Sequence, residues 1–329
     1  MLPRYRIAGA AFTVAAIAVP VGPAAAQTQT SDPDFDASVE KPAYAADGPV
    51  VVIDEAHANF HTSTGRYRPF AELLRNDGYS VVAGKSPIDR DGLDATDVLV
   101  ISNALPPPGA APGTPAFTER ESDAIEDWVR GGGSLLLIAD HAPFGSAAES
   151  LGRRFGVTMG KGWVWDVREA GASIETRFVT SRENGLLGTH PVLRGRDASE
   201  EVRSLKAFSG QSLNVPPGAS VLMKLSETAR EVRNRTDLET VRAAVAGRAA
   251  AANDLIDELS EPVGGLAQGI AMTFGAGRVV VLGEAAMLSA QVSRRGDPPT
   301  ATPMGMNEPG NDNRQFVLNT LHWLSGLLH

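Results

Sequence analysis

Four short apolar stretches, each ending in polar side chains, constrain the fold of this chain more than any other feature of its sequence. They are rich in valine, leucine and isoleucine, which is typical of strands buried on both faces. The four stretches are Val50–Ile53, Asp97–Asn103, Ser134–Ala139 and Arg278–Leu282. Segments with helical periodicity alternate with them, so we expect a mostly parallel sheet with right-handed crossovers. The predicted fold class is α/β, with a flavodoxin-like sheet that carries helices on both faces.

Local signals mark the ends of several predicted elements. Residues 66–77 form the first predicted helix, and Gly78 follows it where a C-cap glycine belongs. Thr118 and Glu121 form a capping box at the start of a second helix, since each side chain can hydrogen-bond the backbone N–H of the other. Residues 269–282 place a Gly-Ala-Gly turn between two apolar arms, which predicts a β-hairpin. A final helix with an apolar period follows, so the domain ends in a hairpin plus helix.

The first 26 residues predict a signal peptide that is not part of the fold. Two arginines precede an apolar run, and Ala24–Ala26 provides the small residues that signal peptidase prefers. The apolar run is short and interrupted by proline, which disfavours a membrane span, although a retained N-terminal anchor is the alternative. We therefore expect an exported protein, periplasmic or secreted, with no membrane span after cleavage.

The rest of the chain is predicted to form a single α/β domain over residues 47–329, a length that suits one such domain with an insertion. Residues 27–46 are polar and contain Pro and Asp, so we expect a disordered leader before the domain. Residues 227–260 are rich in Ala, Arg, Asp and Glu. They predict an insertion that is either surface helix or partly ordered.

Charge and cysteine content exclude two classes of function. The net charge of −9 becomes −11 when Arg4 and Arg6 leave with the signal peptide, and such an acidic chain lacks the basic surface that nucleic acid requires. The sequence has no cysteine, so it can form neither a disulfide nor a thiol nucleophile. We expect a small-molecule or saccharide partner. The sequence indicates no particular oligomeric state.

Acids and histidines follow the ends of the predicted strands, and neighbouring strands of a sheet lie only about 4.8 Å apart. Because ligands bind beyond the carboxyl ends of parallel strands, we expect these side chains to form one cleft. The proposed catalytic residues are Asp54, His57, Asp140, His141 and Glu284. The proposed binding residues are Glu55, Asn59, His61, Ser102 and Asn103. Asp140 and His141 are the strongest pair, since a strand-end acid and imidazole commonly perform general acid/base catalysis.

Each candidate also has a structural interpretation. Asp54 can accept backbone N–H groups at the following turn, and Glu284 can cap the turn after its strand. His57 and His61 are spaced i, i+4, which suits zinc if the segment is helical. A divalent metal ion held by His57, His61 and Asp140 is therefore one hypothesis, although the sequence has no tight metal motif. No other cofactor is indicated.

The attacking group of a hydrolase built on this chain would be water. Cysteine is absent, and no strand ends in the Gly-x-Ser-x-Gly elbow of serine hydrolases. Ser102 follows a strand but lacks small flanking residues. Water activated by a carboxylate, an imidazole or a metal ion is then the nucleophile.

The segment Phe117–His141, with FTERE at its start and WVRGGGSLLLIADH at its end, resembles the core of class I glutamine-amidotransferase-like domains. Within that superfamily it is similar to the bacterial domain-of-unknown-function 4350 group, which is related to gliding-motility and intraflagellar-transport amidotransferase-like domains. Asp54–His57, Gly283–Met287 and Asn313–Phe316 resemble the same group. The similarity covers most of residues 48–325.

This resemblance implies the amidotransferase-like fold and the location of the site, but not the activity. In true amidotransferases a cysteine at a strand-to-helix elbow acts with a histidine and an acid. The corresponding segment here carries Asp140 and His141, and the chain has no cysteine. A Cys-dependent glutaminase is therefore excluded.

Two functions agree with these observations. The first is an exported hydrolase-like protein that acts on a small or saccharide-type substrate through the acid/imidazole cleft, with or without a metal ion. The second is a non-catalytic module of the cell envelope that binds a ligand or a protein partner in the same cleft.

Overall fold

The structure is a computed structural model that describes residues 28–45, 47–111, 113–168, 173–249, 251–295 and 300–329. The predicted signal peptide lies outside these residues. The strands are β1 (Thr28–Ser31), β2 (Val50–Asp54), β3 (Ser80–Gly84), β4 (Val98–Ser102), β5 (Ser134–Ile138), β6 (Trp163–Arg168), β7 (Ser173–Glu175), β8 (Arg177–Ser181), β9 (Ser204–Phe208), β10 (Ser220–Lys224), β11 (Arg230–Val232), β12 (Ser260–Pro262), β13 (Ala267–Phe274), β14 (Gly277–Leu282), β15 (Ala290–Arg295) and β16 (Thr300–Gly305). The helices are α1 (Arg68–Asn76), α2 (Arg90–Asp94), α3 (Glu119–Arg130), α4 (Phe144–Arg154), α5 (Pro191–Arg194), α6 (Arg235–Ala246), α7 (Ala252–Leu259) and α8 (Asn313–Leu324). Within the described ranges, no helix has the length and apolar character needed to cross a membrane.

A seven-stranded sheet in the order β10-β13-β14-β5-β4-β2-β3 forms the centre of the molecule. Its five strands from β14 to β3 are parallel, which confirms the prediction of a mostly parallel sheet. The hairpin of β13 and β14 is also confirmed, and its second arm pairs in parallel with β5. Because β13 runs antiparallel to β14, and β10 antiparallel to β13, the sheet as a whole is mixed.

Helices cover both faces of this sheet. The apolar side chains of α1 and α8, such as Phe70 and Phe316, pack on one face together with Ile53 and Ile138. The apolar side chains of α3 and α4 pack on the other face with Leu99. Successive strand residues point to opposite faces, so continuously apolar strands are required when both faces are covered.

The predicted helix signals form the expected local structure. Gly78 has a φ of +93° directly after α1 and its C-cap residue, in the left-handed region where glycine is favoured. The Thr118 side chain accepts from the N–H of Glu121, and the Glu121 carboxylate accepts from the N–H of Thr118. This capping box fixes the start of α3. That end of the helix lies at the same edge of the sheet as the carboxyl ends of the parallel strands.

The segment near residues 227–260 belongs to a small second layer. Strands β12, β11, β6 and β7 form a separate sheet, and α6 and α7 lie beside it. Trp165, Val232, Leu238 and Val241 form the buried core of this unit. The surface helices expected from composition are therefore present, and residues 230–246 are anchored through the apolar face of α6.

Residues 28–45 are not a disordered leader, so that prediction is wrong for this segment. Strand β1 pairs with β15, and Phe35 and Val39 pack against the core. The hydroxyl of Tyr44 donates to Ser325 at 2.9 Å. Sequence composition misses this because the few apolar residues of the segment contact elements far away in the chain.

Candidate functional site

The carboxyl ends of β2, β4, β5 and β14 lie side by side at one edge of the central sheet. We call this edge the rim. Backbone hydrogen bonds join the strand ends, from the N–H of Asn103 to Ile138 (2.9 Å) and from the N–H of Ala139 to Leu282 (3.0 Å). The residues proposed from the sequence all follow these four strands, so the rim holds them. Most of them form two separate clusters.

The first cluster is built around His57, and we call it the His57 cluster. His57 Nδ1 lies 2.9 Å from both carboxylate oxygens of Asp54, and its Nε2 lies 2.9 Å from Oε1 of Glu121. Burial by itself lowers the pKa of His57, but the hydrogen bonds and charges of Asp54 and Glu121 outweigh it and raise the pKa above 6.5. The two carboxylates therefore favour the cationic form of the ring.

Glu121 connects this cluster to α3. Its Oε2 accepts from the N–H (2.9 Å) and the hydroxyl (2.8 Å) of Thr118. Burial raises the pKa of Glu121, but the hydrogen bonds from Thr118 and His57 lower it below 4.5 overall. Asn59 adds a bond to Asp54 at 2.9 Å. The His57 cluster thus ties the loop after β2 to the start of α3.

The second cluster, which we call the Asp140 cluster, contains Asp140, Glu284, Tyr67, His61 and Ser102. Asp140 accepts from the N–H of His141 at 2.7 Å, and Glu284 accepts from the N–H groups of Ala286 (2.7 Å) and Met287 (2.8 Å). Asp140 is 7% exposed and Glu284 is fully buried.

The two carboxyl groups of this cluster resist ionisation. Burial raises the pKa of Asp140 above 3.8, even though His141 and several hydrogen bonds act against it. Burial and then the charge of Asp140 raise the pKa of Glu284 well above 4.5. Burial disfavours the charged form of each group, and the charge of Asp140 further disfavours ionisation of Glu284, so both stay protonated to higher pH than ordinary carboxyl groups.

His61 and Tyr67 complete the Asp140 cluster with neutral groups. Their rings stack with centroids 4.5 Å apart, and His61 Nδ1 lies 3.2 Å from the hydroxyl of Ser102. Burial, followed by the charges of Arg66 and His141, lowers the pKa of His61 to about 3. The Tyr67 hydroxyl donates to the carbonyl of Ala285 at 2.8 Å. His61 is thus a neutral imidazole at neutral pH.

The clusters lie on opposite faces of the sheet. His57 contacts Phe117, which belongs to the core beneath α3 and α4, at a ring distance of 4.5 Å. Tyr67 belongs to the core beneath α1 and α8. The predicted single cleft is therefore two sites that share one rim.

A strip of aromatic rings runs along the rim, and we define the aromatic strip as Phe60, Phe144, His141 and Trp163. The rings of Phe60 and Phe144 lie 5.6 Å apart, those of Phe144 and His141 6.0 Å, and His141 stacks on Trp163 at 3.4 Å. Phe60 is 47% exposed, while His141 and Trp163 are half-buried. The guanidinium of Arg66 lies 4.1 Å from the centre of the Phe60 ring.

The remaining proposed residues have local partners. Glu55 accepts from the N–H (2.7 Å) and hydroxyl (2.5 Å) of Ser63, which closes its own loop. Asn103 has a φ of +50°, and its Oδ1 accepts from the N–H of Asp140 at 2.9 Å. Its Nδ2 is buried, and within the described part of the chain it has no hydrogen-bond partner.

The residues proposed as metal ligands do not fit a metal ion. Both ring nitrogens of His57 already face carboxylates, and His57 and Asp140 belong to different clusters. Searching the described residues finds no group of three or more His, Asp or Glu side chains that could hold a metal ion.

Two surface cavities lie away from the rim. One of about 620 Å³ lies between residues 35–39 and the carboxyl end of α1, and one of about 330 Å³ is lined by Leu93, Trp128 and Gly133. Neither is lined by a residue of the two clusters.

Sequence reasoning missed Tyr67, Arg66, Phe60 and the second role of Glu121. The helix predicted from the sequence begins at residue 66 and so includes Arg66 and Tyr67, whereas α1 begins at Arg68. Pro69 was the available signal, since proline is favoured in the first turn of a helix and so places residues 66–67 in the preceding turn. The capping box already accounts for Glu121, so nothing further in the sequence indicates that this residue also bonds to His57.

Comparisons with known proteins show the fold and leave the activity open. No family profile matches the sequence, and no curated protein matches it. Among solved structures, the N-terminal domain of mmIFT52 is similar with a TM-score of 0.54 and 12% identity, over 84% of this chain and 97% of that one. At this identity the likeness shows a shared fold only. It agrees with the expected resemblance to intraflagellar-transport domains, while membership of the bacterial group stays a prediction.

Two other solved structures are more distant. A ThuA-like protein from Bacteroides uniformis has a TM-score of 0.42 and 13% identity over 87% of this chain and 93% of that chain. A beta-galactosidase from Bacillus circulans has a TM-score of 0.40 and 10% identity over 85% of this chain but 31% of that chain. Neither likeness supports an argument about function.

Proposed function

We propose that this protein is an exported, flavodoxin-like member of the amidotransferase-like superfamily that binds a small saccharide-type ligand at its rim. The ligand would lie on the aromatic strip, next to the polar groups of the Asp140 cluster. Export, to the periplasm or the medium, rests on the N-terminal sequence.

The exposure of Phe60 carries this proposal. Among the large apolar side chains of the described residues that are exposed, Phe60 is the only aromatic one. Binding sites combine an apolar or aromatic surface with a few convergent polar groups. The flat face of an aromatic ring suits the C–H face of a sugar, and His141 lies in the same strip to hydrogen-bond its hydroxyl groups.

Binding is favoured over catalysis because the proposed catalytic acids already have structural partners. Asp54 and Glu121 hold His57, and Glu284 is fully buried and caps the turn after β14. A group that contacts substrate must lie within hydrogen-bond reach of it. Among the proposed catalytic residues only His141, beside the strip, is half-buried, whereas the other four are buried.

Hydrolysis is the second candidate, and the carboxyl pair favours it. A general acid works best when its pKa is raised toward the working pH, and burial does this for Asp140 and Glu284. In that case Asp140, at the edge of the strip, would protonate the glycosidic oxygen as the C–O bond breaks. Water would add to the sugar carbon, and the proton it releases would restore Asp140.

Titration calorimetry with cellobiose, maltose, lactose and chitobiose, together with an assay for released monosaccharide, tests both candidates. We expect at least one disaccharide to bind, and Phe60→Ala to weaken it at least about tenfold, as for an interface anchor. Val179→Ala is the matched control, since Val179 is equally exposed, at 47%, but lies on β8. Monosaccharide release that is lost in Asp140→Asn would establish the hydrolase instead. No binding of any disaccharide, or equal affinity in Phe60→Ala, would contradict the binding function.

A further inference from the structure

We propose that Arg66 recognises an anionic group, so that the ligand of the rim is an acidic saccharide such as a uronate. This inference rests on the proposed function and narrows it to one class of sugar. Its carboxylate would lie on the Arg66 guanidinium while the ring lies beside Phe60.

Arg66 differs from its neighbours in having no counter-charge. Its side chain is half-buried, and within the described part of the chain its guanidinium makes neither an ion pair nor a hydrogen bond; it lies over the Phe60 ring. By contrast Arg68, two residues along, pairs with Glu72 at 3.1 Å and donates to the carbonyl of Asp32 at 2.9 Å. Partial burial of an unpaired cation is unfavourable, so a bound anion would stabilise this arrangement.

The surroundings of Arg66 do not neutralise it. Burial alone lowers the pKa of Arg66, with no carboxylate acting on it, and a guanidinium keeps its charge at neutral pH. Arg66 and His61 both contact Phe60, since the His61 ring lies 5.3 Å from the Phe60 ring and the Arg66 guanidinium 4.1 Å from its centre. The positive charge of Arg66 also contributes to the low pKa of His61, about 3. The side chain is thus a fixed cation at the edge of the aromatic strip.

A second unsatisfied donor lies at the same edge. Asn103 is 1% exposed, and its Nδ2 has no partner among the described residues. The backbone carbonyl of Asn103 accepts from the N–H of Phe60 at 3.0 Å, so Asn103 is hydrogen-bonded directly to the loop that carries Phe60. A buried donor without a partner is uncommon, and a ligand oxygen is one way to satisfy it.

These donors fit a carboxylate better than other anions. The planar guanidinium forms two parallel hydrogen bonds with a carboxylate. A phosphate group carries more charge and is usually held by several cations, whereas Arg66 is a single one in a chain of net charge −9. A carboxylate attached to a sugar ring can contact Arg66 and Phe60 together.

The test compares digalacturonate with neutral galactobiose, and with glutarate as a carboxylate without a ring, at low ionic strength. We expect digalacturonate to bind at least about tenfold more tightly than galactobiose, as one charge-assisted bidentate bond allows. Arg66→Gln should abolish that preference, so that digalacturonate and galactobiose bind with similar affinity. Arg75→Gln is the matched control, since Arg75 is an exposed arginine at the other end of α1. Thermal melts verify that each variant is folded.

The outcomes separate this inference from the proposed function. Equal binding of both disaccharides, weakened in Phe60→Ala but not in Arg66→Gln, would overturn the acidic ligand and support the saccharide function. Arg66-dependent binding of glutarate without binding of either disaccharide would overturn the saccharide function and leave Arg66 as an anion site. Binding of none of the three would overturn both.

Discussion

The two clusters at the rim contain the same kinds of residue but differ in how their charges are paired. In the His57 cluster one imidazole lies between two carboxylates, and each charge has a partner at 2.9 Å. In the Asp140 cluster two carboxyl groups repel each other, and the nearby imidazole of His61 is neutral. The first arrangement stabilises a loop. The second holds two carboxyl groups with raised pKa values, and residues with strongly shifted pKa values are found at functional sites.

The histidines show how environment decides protonation. Both His57 and His61 lie in the loop after β2 and are buried. Two carboxylates overcome the effect of burial for His57, whereas Arg66 and His141 add to it for His61. Two histidines four residues apart in the sequence therefore have pKa values shifted in opposite directions.

The largest expected effect on stability comes from His57→Gln. Removing one partner of a buried ion pair leaves uncompensated charge, so we expect a loss of about 3–5 kcal/mol in the free energy of unfolding. Because the pKa of His57 is raised in the folded state, its contribution is fully present below about pH 6.5 and is lost as the pH rises through the folded pKa. Urea unfolding at several pH values measures both quantities.

His61→Gln is the matched comparison for that prediction. It removes a neutral hydrogen bond and a ring contact, so its loss should be about 1–2 kcal/mol, well below that of His57→Gln. Equal losses in the two variants would show that the charge of His57 contributes nothing.

Glu121→Gln should have the next largest effect, about 2 kcal/mol. The carboxylate accepts charge-assisted hydrogen bonds from His57 and also completes the capping box of α3. Glu119→Gln is the control on the same helix, since its side chain is 76% exposed and an exposed ion pair contributes little. Similar melting temperatures for the two variants would argue against a coupled role for Glu121.

Glu284→Gln tests the other cluster through its pH dependence. A carboxyl group with a raised pKa binds its proton more tightly in the folded state, so its contribution to stability is fully present below about pH 4.5 and is lost as the pH rises through the folded pKa. The free energy of unfolding of wild type should therefore exceed that of the variant by more at low pH than at high pH. Asp140→Asn should show the same trend. A difference that grows with pH would mean that Glu284 is ionised when folded.

The smallest expected effect on stability belongs to Phe60→Ala. The ring is 47% exposed, so its loss should cost about 1 kcal/mol or less while ligand affinity falls. A large loss of stability would assign Phe60 to the core and remove the main support for a binding rim.

The sequence predicts the parts of this structure that depend on local patterns. Residues close together in the chain predict the parallel strands, the capping box at Thr118 and the hairpin of β13 and β14. The meeting of strand-end acids at one rim also follows, because parallel strands share the direction in which they end.

The parts that the sequence does not predict depend on contacts between distant residues. The apolar residues of the strands do not reveal the order of the strands in the sheet. The sequence therefore does not show that Glu284 lies near Asp140 and not near Asp54. The faces to which Asp54 and Asp140 point depend on the register of their strands. Docking of residues 28–45 is missed for the same reason, since β1 pairs with β15 more than 250 positions later.

Titration of the histidine ring nitrogens by long-range nitrogen–proton NMR tests the contrast between the two clusters most directly. Spectra between about pH 5 and about pH 8 cover the range in which an ordinary histidine titrates. We expect His57 to be doubly protonated through the lower part of this range, and His61 to be neutral throughout it, with His57→Gln and His61→Gln used to assign the signals. A neutral His57 at the acidic end, or a His61 that titrates near pH 6.5, would contradict the account.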